Sequence, residues 1–543
     1  MWSLVQKRRI RELVKRERRQ QRKRSVPLGH ENDDPEGAAG AEEKPERPSS
    51  VSGQAREEGD SQPDCIRVRL TGEDDPLDPQ NWPLLSRSKN IAILFFLVFT
   101  QTWASAAASP ANSQISSEFG VSPVAENLST AVYLFGVGSG ALFAGPISES
   151  LGKNPTYLGA TFIYLLFVLG SGLSPNFGSQ IVCRYFVGLF SSAVLTINGS
   201  SVGDQFRPVK RAFAFPVIAW ANVVGPVIAP IVGGWVVSNQ SLGWRWTEYI
   251  TLIMSGTAWL VAMLFLPETY LPIIIDWKAK QLRKETGDKR YASEHAAKTS
   301  FLQHVKKILP LPVKFFTTEP VVAVLGGYLT LLYTLLFTFL SGFDYIFKQT
   351  YGLSTGQTGS CFASIAVGAS LATLAAPALY SWARKTTHHE HGAFVPPEFR
   401  LWPAIVTGPL LPVVLFWLGW TNYRSISMWS SLGACFLFGI VLIAIYTSSY
   451  EYIIDSYGEH SASALASITM VRYLVAGGMV MAARPMYTGI GVHWTMTIMG
   501  CIAVLLAPMP LLFRIYGEKL RMRSQFAGKE TRREGLKATA NGG

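Results

Sequence analysis

Two arginines stand where a charge is costly. Arg184 lies in IVCRYFVGLFSSA and Arg472 in ASITMVRYLVAGG, stretches that are otherwise apolar. A guanidinium deep in a membrane costs at least about 2.5 kcal/mol on insertion scales, so each is expected to face a cavity or a partner. Gln101, Asn198 and Asn222 are further polar groups inside apolar runs, expected to orient a ligand or to bridge helices. Trp103, Tyr133, Trp220, Tyr328 and Tyr333 occupy the same runs and suit stacking on flat molecules. Acids collect at the run ends instead, with Glu126 and Asp344 on one side and Glu149, Asp204, Glu451 and Asp455 on the other. A cavity of that polarity favours neutral or anionic aromatic compounds, because a polycation would need buried carboxylates. Among these acids Glu149 and Asp455 are the candidates for a group whose protonation differs between two states.

Small residues recur at four-residue steps, which puts them on one helix face. Gly225, Ala229 and Gly233 make one such stripe, with Gly234 beside it and Pro226 and Pro230 bending the same helix. Ser364, Gly368, Ala372 and Ala376 make a second stripe, and the two are expected to face each other in a close-packed seam. Gly136, Gly140 and Ala144 are expected to face Ser463 and Ser467 in another. Other chemistry lacks its residues. There is no GxxxxGK[ST] phosphate loop, no HExxH, GxSxG or Cys/His zinc set, and GVGSG from Gly136 has no βαβ setting. No catalytic residue, metal or cofactor is expected, and a gradient-driven carrier remains.

The elements that must position these groups are membrane helices. Charged residues make up 16% of the 543 residues, against roughly 25% in ordinary soluble proteins. Residues 91–265 hold only six Lys/Arg and five Asp/Glu. With about 20 residues per span as the template, twelve spans are expected. They lie near 91–109, 125–147, 155–173, 179–200, 212–237 and 247–266, then 320–341, 357–383, 401–420, 427–449, 463–484 and 493–513. The predicted fold is an all-α polytopic bundle of two six-helix halves, residues 89–268 and 320–514. A cytoplasmic, mostly disordered tail (1–88), a cytoplasmic loop (269–319) and a cytoplasmic C-terminal tail (515–543) complete the chain.

Lys153, Arg207, Lys210, Arg211, Arg384 and Lys385 fall in loops on the side of the termini, together with ten basic residues of the central loop. Arg245, Lys348, Arg424 and Arg484 fall on the other side, so both termini are predicted cytoplasmic. The formal charge of +12 lies mostly in tails and loops; residues 1–30 carry eleven Lys/Arg against two Glu. That block is expected to hold the tail inside and touch anionic lipid, not nucleic acid. The cysteines at 183, 361, 435 and 501 fall singly in apolar runs and are read as inert thiols.

Three stretches carry a resemblance to a known family. GPISESLGKNP, with Gly145, Glu149, Gly152 and Lys153, resembles motif A of the major facilitator superfamily, although Glu149 replaces the usual Asp and Asn154 a basic residue. Arg184 and Gly188 resemble motif B, and Gly225 to Gly234 resembles motif C of drug:proton antiporters, with Ala229 for a usual Gly. DPQNWP, GWRWTEYI, LPETY and YEYIIDSYGEHSASALASITMVRY extend the likeness from about residue 76 to its fungal twelve-span branch. The resemblance implies export of small organic molecules, commonly drugs, toxins or polyamines, in exchange for protons, and the expected protein is a monomeric plasma-membrane carrier that exports drugs, toxins or secondary metabolites. Polyamine export, nutrient uptake by proton symport and a membrane sensor are the alternatives. At motif A, the Glu149 carboxylate is expected to accept from the helix N-terminus at Ser461–Leu465 and so latch the halves.

Overall fold

The computed structural model describes residues 2–24, 66–70, 72, 74–122, 125–239, 241–293, 309–391, 397–524 and 526–527. Twelve helices among them are long and apolar enough to cross a bilayer. The first six run Leu84–Phe119, Leu128–Leu151, Lys153–Gly172, Phe177–Gln205, Lys210–Ser238 and Arg245–Phe265. The second six run Pro320–Gln349, Thr355–Trp382, Pro397–Trp420, Met428–Tyr457, Ser461–Gly489 and Gly491–Arg523. Each expected span has its helix, and helices suit the setting because they satisfy their own backbone hydrogen bonds in hydrocarbon.

Burial sorts the spans into layers. The first and seventh have 78% and 83% of their apolar core buried, whereas the third, sixth, eighth and twelfth have 39%, 28%, 22% and 33%. The former pack at the centre and the latter present apolar side chains such as Leu166, Ile253 and Leu505 outward. Ends are set locally. Asn176 accepts from the Ser179 amide at the start of the fourth span, and Ser354 and Gln357 form a capping box at the eighth. Pro216, Pro226 and Pro230 lie inside the fifth helix. We call the end where the first span begins at Leu84 the near end, and the other the far end.

Two compact units divide the chain, and the smaller one covers residues 4–73 and 272–296. Trp2–Arg24, most of it in this unit, is a helix, and residues 25–65 of the tail expected to be mostly disordered lie outside the described ones. Ile10 and Val14 of this helix are buried, as is Ile274 of the helix Leu271–Thr286. Lys7 lies 4.5 Å above the Trp277 ring, and Glu17 pairs with Lys278 at 3.6 Å. A short parallel pairing of Ile66–Val68 with Tyr291–Ser293 is the one departure from all-α structure among the described residues. The acidic stretch of the tail, with Cys65, and the SFLQHVKKIL run fall largely outside the described residues.

Candidate functional site

Arg472 lies ~17 Å along the eleventh span, at 1.5 Å per residue, and is fully buried. Its guanidinium carbon is 4.0 Å from the Tyr333 ring centre, 5.0 Å from Tyr473, 5.5 Å from Tyr446 and 5.7 Å from Tyr450. None of its three guanidinium nitrogens has a hydrogen-bond partner among the described residues. Burying an ion costs several kcal/mol after relaxation, and a desolvated cation–π contact returns about 2 kcal/mol. The rings therefore offset the charge but leave its N–H edge without an acceptor. Tyr446 and Tyr450 stack at 4.4 Å one helical turn apart. The cage is closed by the fifth span of the other half, whose Phe215 stacks on Tyr450 at 5.8 Å and whose Asn222 carbonyl accepts from the Tyr333 hydroxyl at 3.5 Å.

The second buried arginine is different. Arg184 Nη1 lies 3.4 Å from Glu248 Oε1, its Nε donates to Ser129 Oγ at 3.2 Å, and the Tyr133 ring centre is 5.5 Å away. Both ionic side chains are fully buried, so Arg184 carries its own counter-ion inside the first half. Glu248, in the first turn of the sixth span, was not among the acids singled out at the run ends. The available signal was the acid three residues after Arg245 in GWRWTEYI.

The remaining expected ligand groups divide. Tyr333 joins the Arg472 cage, while Tyr133 donates to the Gln101 carbonyl at 2.7 Å and lies 3.0 Å from Ser191 Oγ. The Gln101 side-chain amide meets no partner among the described residues. Trp220 stacks on Phe95 at 5.5 Å and donates to Ser370 Oγ across the halves at 2.8 Å. Trp103 and Tyr328 do not belong to the cage. Trp103 donates to Thr251 Oγ1 at 3.1 Å and Tyr328 to the Gly408 carbonyl at 3.3 Å, each tying helices within one half. Asn198 and Asn222 turn their amide N–H groups back on their own helices, at Leu195 and Ile218. Sequence reading missed Tyr446, Tyr450 and Tyr473, although the first two are spaced for one helix face and the third adjoins Arg472.

At the near end the halves are tied by ions. Asp455 of the tenth span bonds Arg211 of the fifth, and also accepts from Arg400 Nε at 2.8 Å. Arg400 reaches Glu451 at 3.1 Å and donates to the Pro208 carbonyl of the first half at 2.7 Å. Arg400 was missed because it sits one residue before its expected span. Glu149 takes no part. It makes no hydrogen bond or ion pair among the described residues, so the expected latch onto the amides at Ser461 is absent.

The helix terminus near motif A is bound by Glu268 of LPETY. Its carboxylate accepts from the amides of Lys153 and Asn154 at 3.1 Å each, Thr269 at 3.0 Å and Tyr270 at 2.9 Å. Burial pushes the Glu268 carboxyl above the usual carboxylate range, against the pull of those amides and of Lys153. Lys153 pairs with Asp204 at 2.6 Å. Gly152 has φ +99°, and a Cβ there would lie 2.5 Å from Glu268, so both conformation and space demand glycine.

The small-residue stripes also have other partners than expected. A Cβ on Gly225 would lie 2.1 Å from Thr102 Oγ1, and on Gly233 3.1 Å from Pro110, so these face the first span and not the eighth. Gly368 faces the Phe436 carbonyl of the tenth span, and Gly136 and Gly140 face the fourth span, not the eleventh. Gly188 in turn abuts the Tyr133 carbonyl of the second span. The halves meet through neighbouring positions. Gly359 abuts the Pro230 carbonyl, Gly234 approaches Thr355, Gly138 meets Leu474, and Gly477 meets the Ala131 carbonyl. A cleft of about 130 Å³ opens between the halves at the far end, with Asn112, Asn127, Asp344, Lys348 and Arg484 on its wall.

The sequence profile of the Major Facilitator Superfamily matches residues 94–481. The MFS-type transporter kojT of Aspergillus flavus is 41% identical over 462 residues, covering 84% of this chain and 82% of that protein. The citrinin biosynthesis cluster MFS transporter mrr1 of Monascus ruber is 32% identical, covering 86% and 93%. The solved proton:xylose symporter XylE superposes with a TM-score of 0.57 at 14% identity, over 80% of this chain and 97% of its own, which is a likeness of fold.

Proposed function

We propose that this chain, which belongs to the major facilitator superfamily, is a proton-coupled exporter of small hydrophobic neutral or anionic organic compounds. Secondary metabolites are the favoured cargo, since a relative over most of the chain is named for a biosynthetic cluster. The observation that carries the reading is the Arg472 cage, a fully buried cation walled by aromatic rings at the boundary between the halves. Polyamine export is disfavoured because a polycation would meet that guanidinium, while the buried Glu248 is already paired with Arg184.

The near end is taken as cytoplasmic, on the distribution of Lys and Arg in the loops, and the membrane as the plasma membrane. The halves then rock about their shared helices so that the cage faces each side in turn. With the Arg211–Asp455 bond made, the cytoplasmic side is locked. Of the proton candidates Asp455 is favoured, because a proton on it would cancel the charge that holds Arg211. Glu149 lacks such a partner and is the weaker candidate.

Inside-out plasma-membrane vesicles with an acid interior test the proposal. Labelled planar organic compounds should accumulate inside them only when the protein is present and the proton gradient intact. Accumulation that persists after an uncoupler, or higher compound content in expressing cells, overturns it.

A further inference from the structure

Resting on the exporter reading, we propose that the cargo carries a deprotonated oxygen on a planar ring system, such as an aromatic carboxylate or an enolate. The Arg472 guanidinium is its counter-ion. The contrast between the two buried arginines leads there. Arg184 has a carboxylate at 3.4 Å as counter-ion and a hydroxyl at 3.2 Å on its Nε, both supplied by the fold, although its two terminal nitrogens make no hydrogen bond among the described residues. Arg472, equally buried, meets ring faces alone, and all three of its guanidinium nitrogens lack an acceptor among the described residues. A guanidinium stacked over a ring keeps its N–H donors in its own plane, aimed sideways, and that fork fits the two oxygens of a carboxylate.

The walls state the rest of the cargo's chemistry. Tyr333, Tyr446, Tyr450 and Tyr473 offer flat apolar faces, so the anion belongs at the edge of something flat and conjugated. Phe215 and Asn222, which close the cage, belong to the opposite half. Their withdrawal as the halves part would bare the guanidinium edge, which ties the site to the transport cycle. A structural cation could sit anywhere in the core and needs no lid from the other half.

The test compares 2-naphthoate with its neutral isostere 2-naphthamide, both radiolabelled, on purified full-length protein in lipid nanodiscs. Wild type should prefer the carboxylate. Arg472→Gln should weaken naphthoate binding about ten- to one-hundred-fold, the worth of a charge-assisted pair, and leave naphthamide within about threefold. Arg472→Lys should recover part of the preference. The unliganded Gln variant should melt no lower than wild type, because the substitution removes a buried charge with no acceptor.

Equal binding of the two probes by wild type, binding of neither, or a Gln variant that loses both together with a lowered melting temperature overturns the proposal. Carboxylate-selective binding without proton-driven movement in vesicles would instead sink the exporter reading and leave the anion site standing. Proton-driven movement without charge preference would do the reverse.

Discussion

Asp455→Asn should unlock the near end of the bundle. The carboxylate is bonded to Arg211 from the opposite half and, at 2.8 Å, to Arg400 from its own. Arg400 retains Glu451 at 3.1 Å after the change, so the chief loss is the tie between halves. A hydrogen bond to a charged group contributes about 2–3 kcal/mol, which moves the equilibrium toward the unlocked conformation by about 30- to 150-fold. A protein nine-tenths locked would then be locked in about one molecule in four or fewer. Spin labels at Lys210 and Lys385, one on each half, report the population by electron–electron distance after the native cysteines are replaced. The long-distance component should grow from about one tenth to about three quarters or more of the molecules. Glu451 is an electrostatic neighbour of Arg211 and can take up part of its charge. Arg211→Gln closes that route and should unlock the bundle further. Adding Asp455→Asn to Arg211→Gln should then add little, as members of one contact do. An unchanged distance distribution in both single variants would refute the lock.

The raised Glu268 carboxyl makes a signed pH prediction. Its stabilising contribution is fully present below the ordinary glutamate range and declines as pH rises through the raised value, so the melting-temperature difference between wild type and Glu268→Gln should shrink from pH 5 to pH 8. Growth of that difference over the same range would contradict it. Glu248→Gln leaves the Arg184 guanidinium buried without its carboxylate and should cost about 3–5 kcal/mol of stability in detergent. Restoring neutrality with Arg184→Gln in the same chain should recover part of the loss, and a double variant worse than both singles would disprove the pairing. A Cβ at Gly359 would sit 2.4 Å from the Pro230 carbonyl, so Gly359→Ala should reduce export by forcing the fifth and eighth spans apart. Gly145→Ala meets nothing within 4 Å and should leave stability unchanged or higher by up to about 1 kcal/mol.

The twelve spans were legible because hydrocarbon thickness imposes a length that composition alone reveals. Arg184 and Arg472 were legible because charge in an apolar run needs a reason. Which of the two has a carboxylate beside it was not, since that depends on a contact between residues 64 positions apart in sequence, Arg184 and Glu248. The glycine stripes show the same division. Their four-residue spacing marks a close-packed face, yet that spacing is identical whether the neighbour lies in the same half or the other. Gly225 and Gly233 turn to the first span, and Gly136 and Gly140 to the fourth. Rigid packing inside each half uses the stripes, while the inter-half boundary uses Gly138, Gly234, Gly359 and Gly477 beside or beyond them. That separation has a functional reason. A six-helix half must move as one body, which favours backbone-to-backbone approach within it. The surfaces that part and rejoin combine a few close backbone approaches, such as Gly359 on the Pro230 carbonyl, with side-chain bonds, Arg211 with Asp455, Trp220 with Ser370 and Phe215 with Tyr450. Such bonds exchange partners with water or cargo more readily than two abutting backbones do, and the buried Arg472 lies behind one of them.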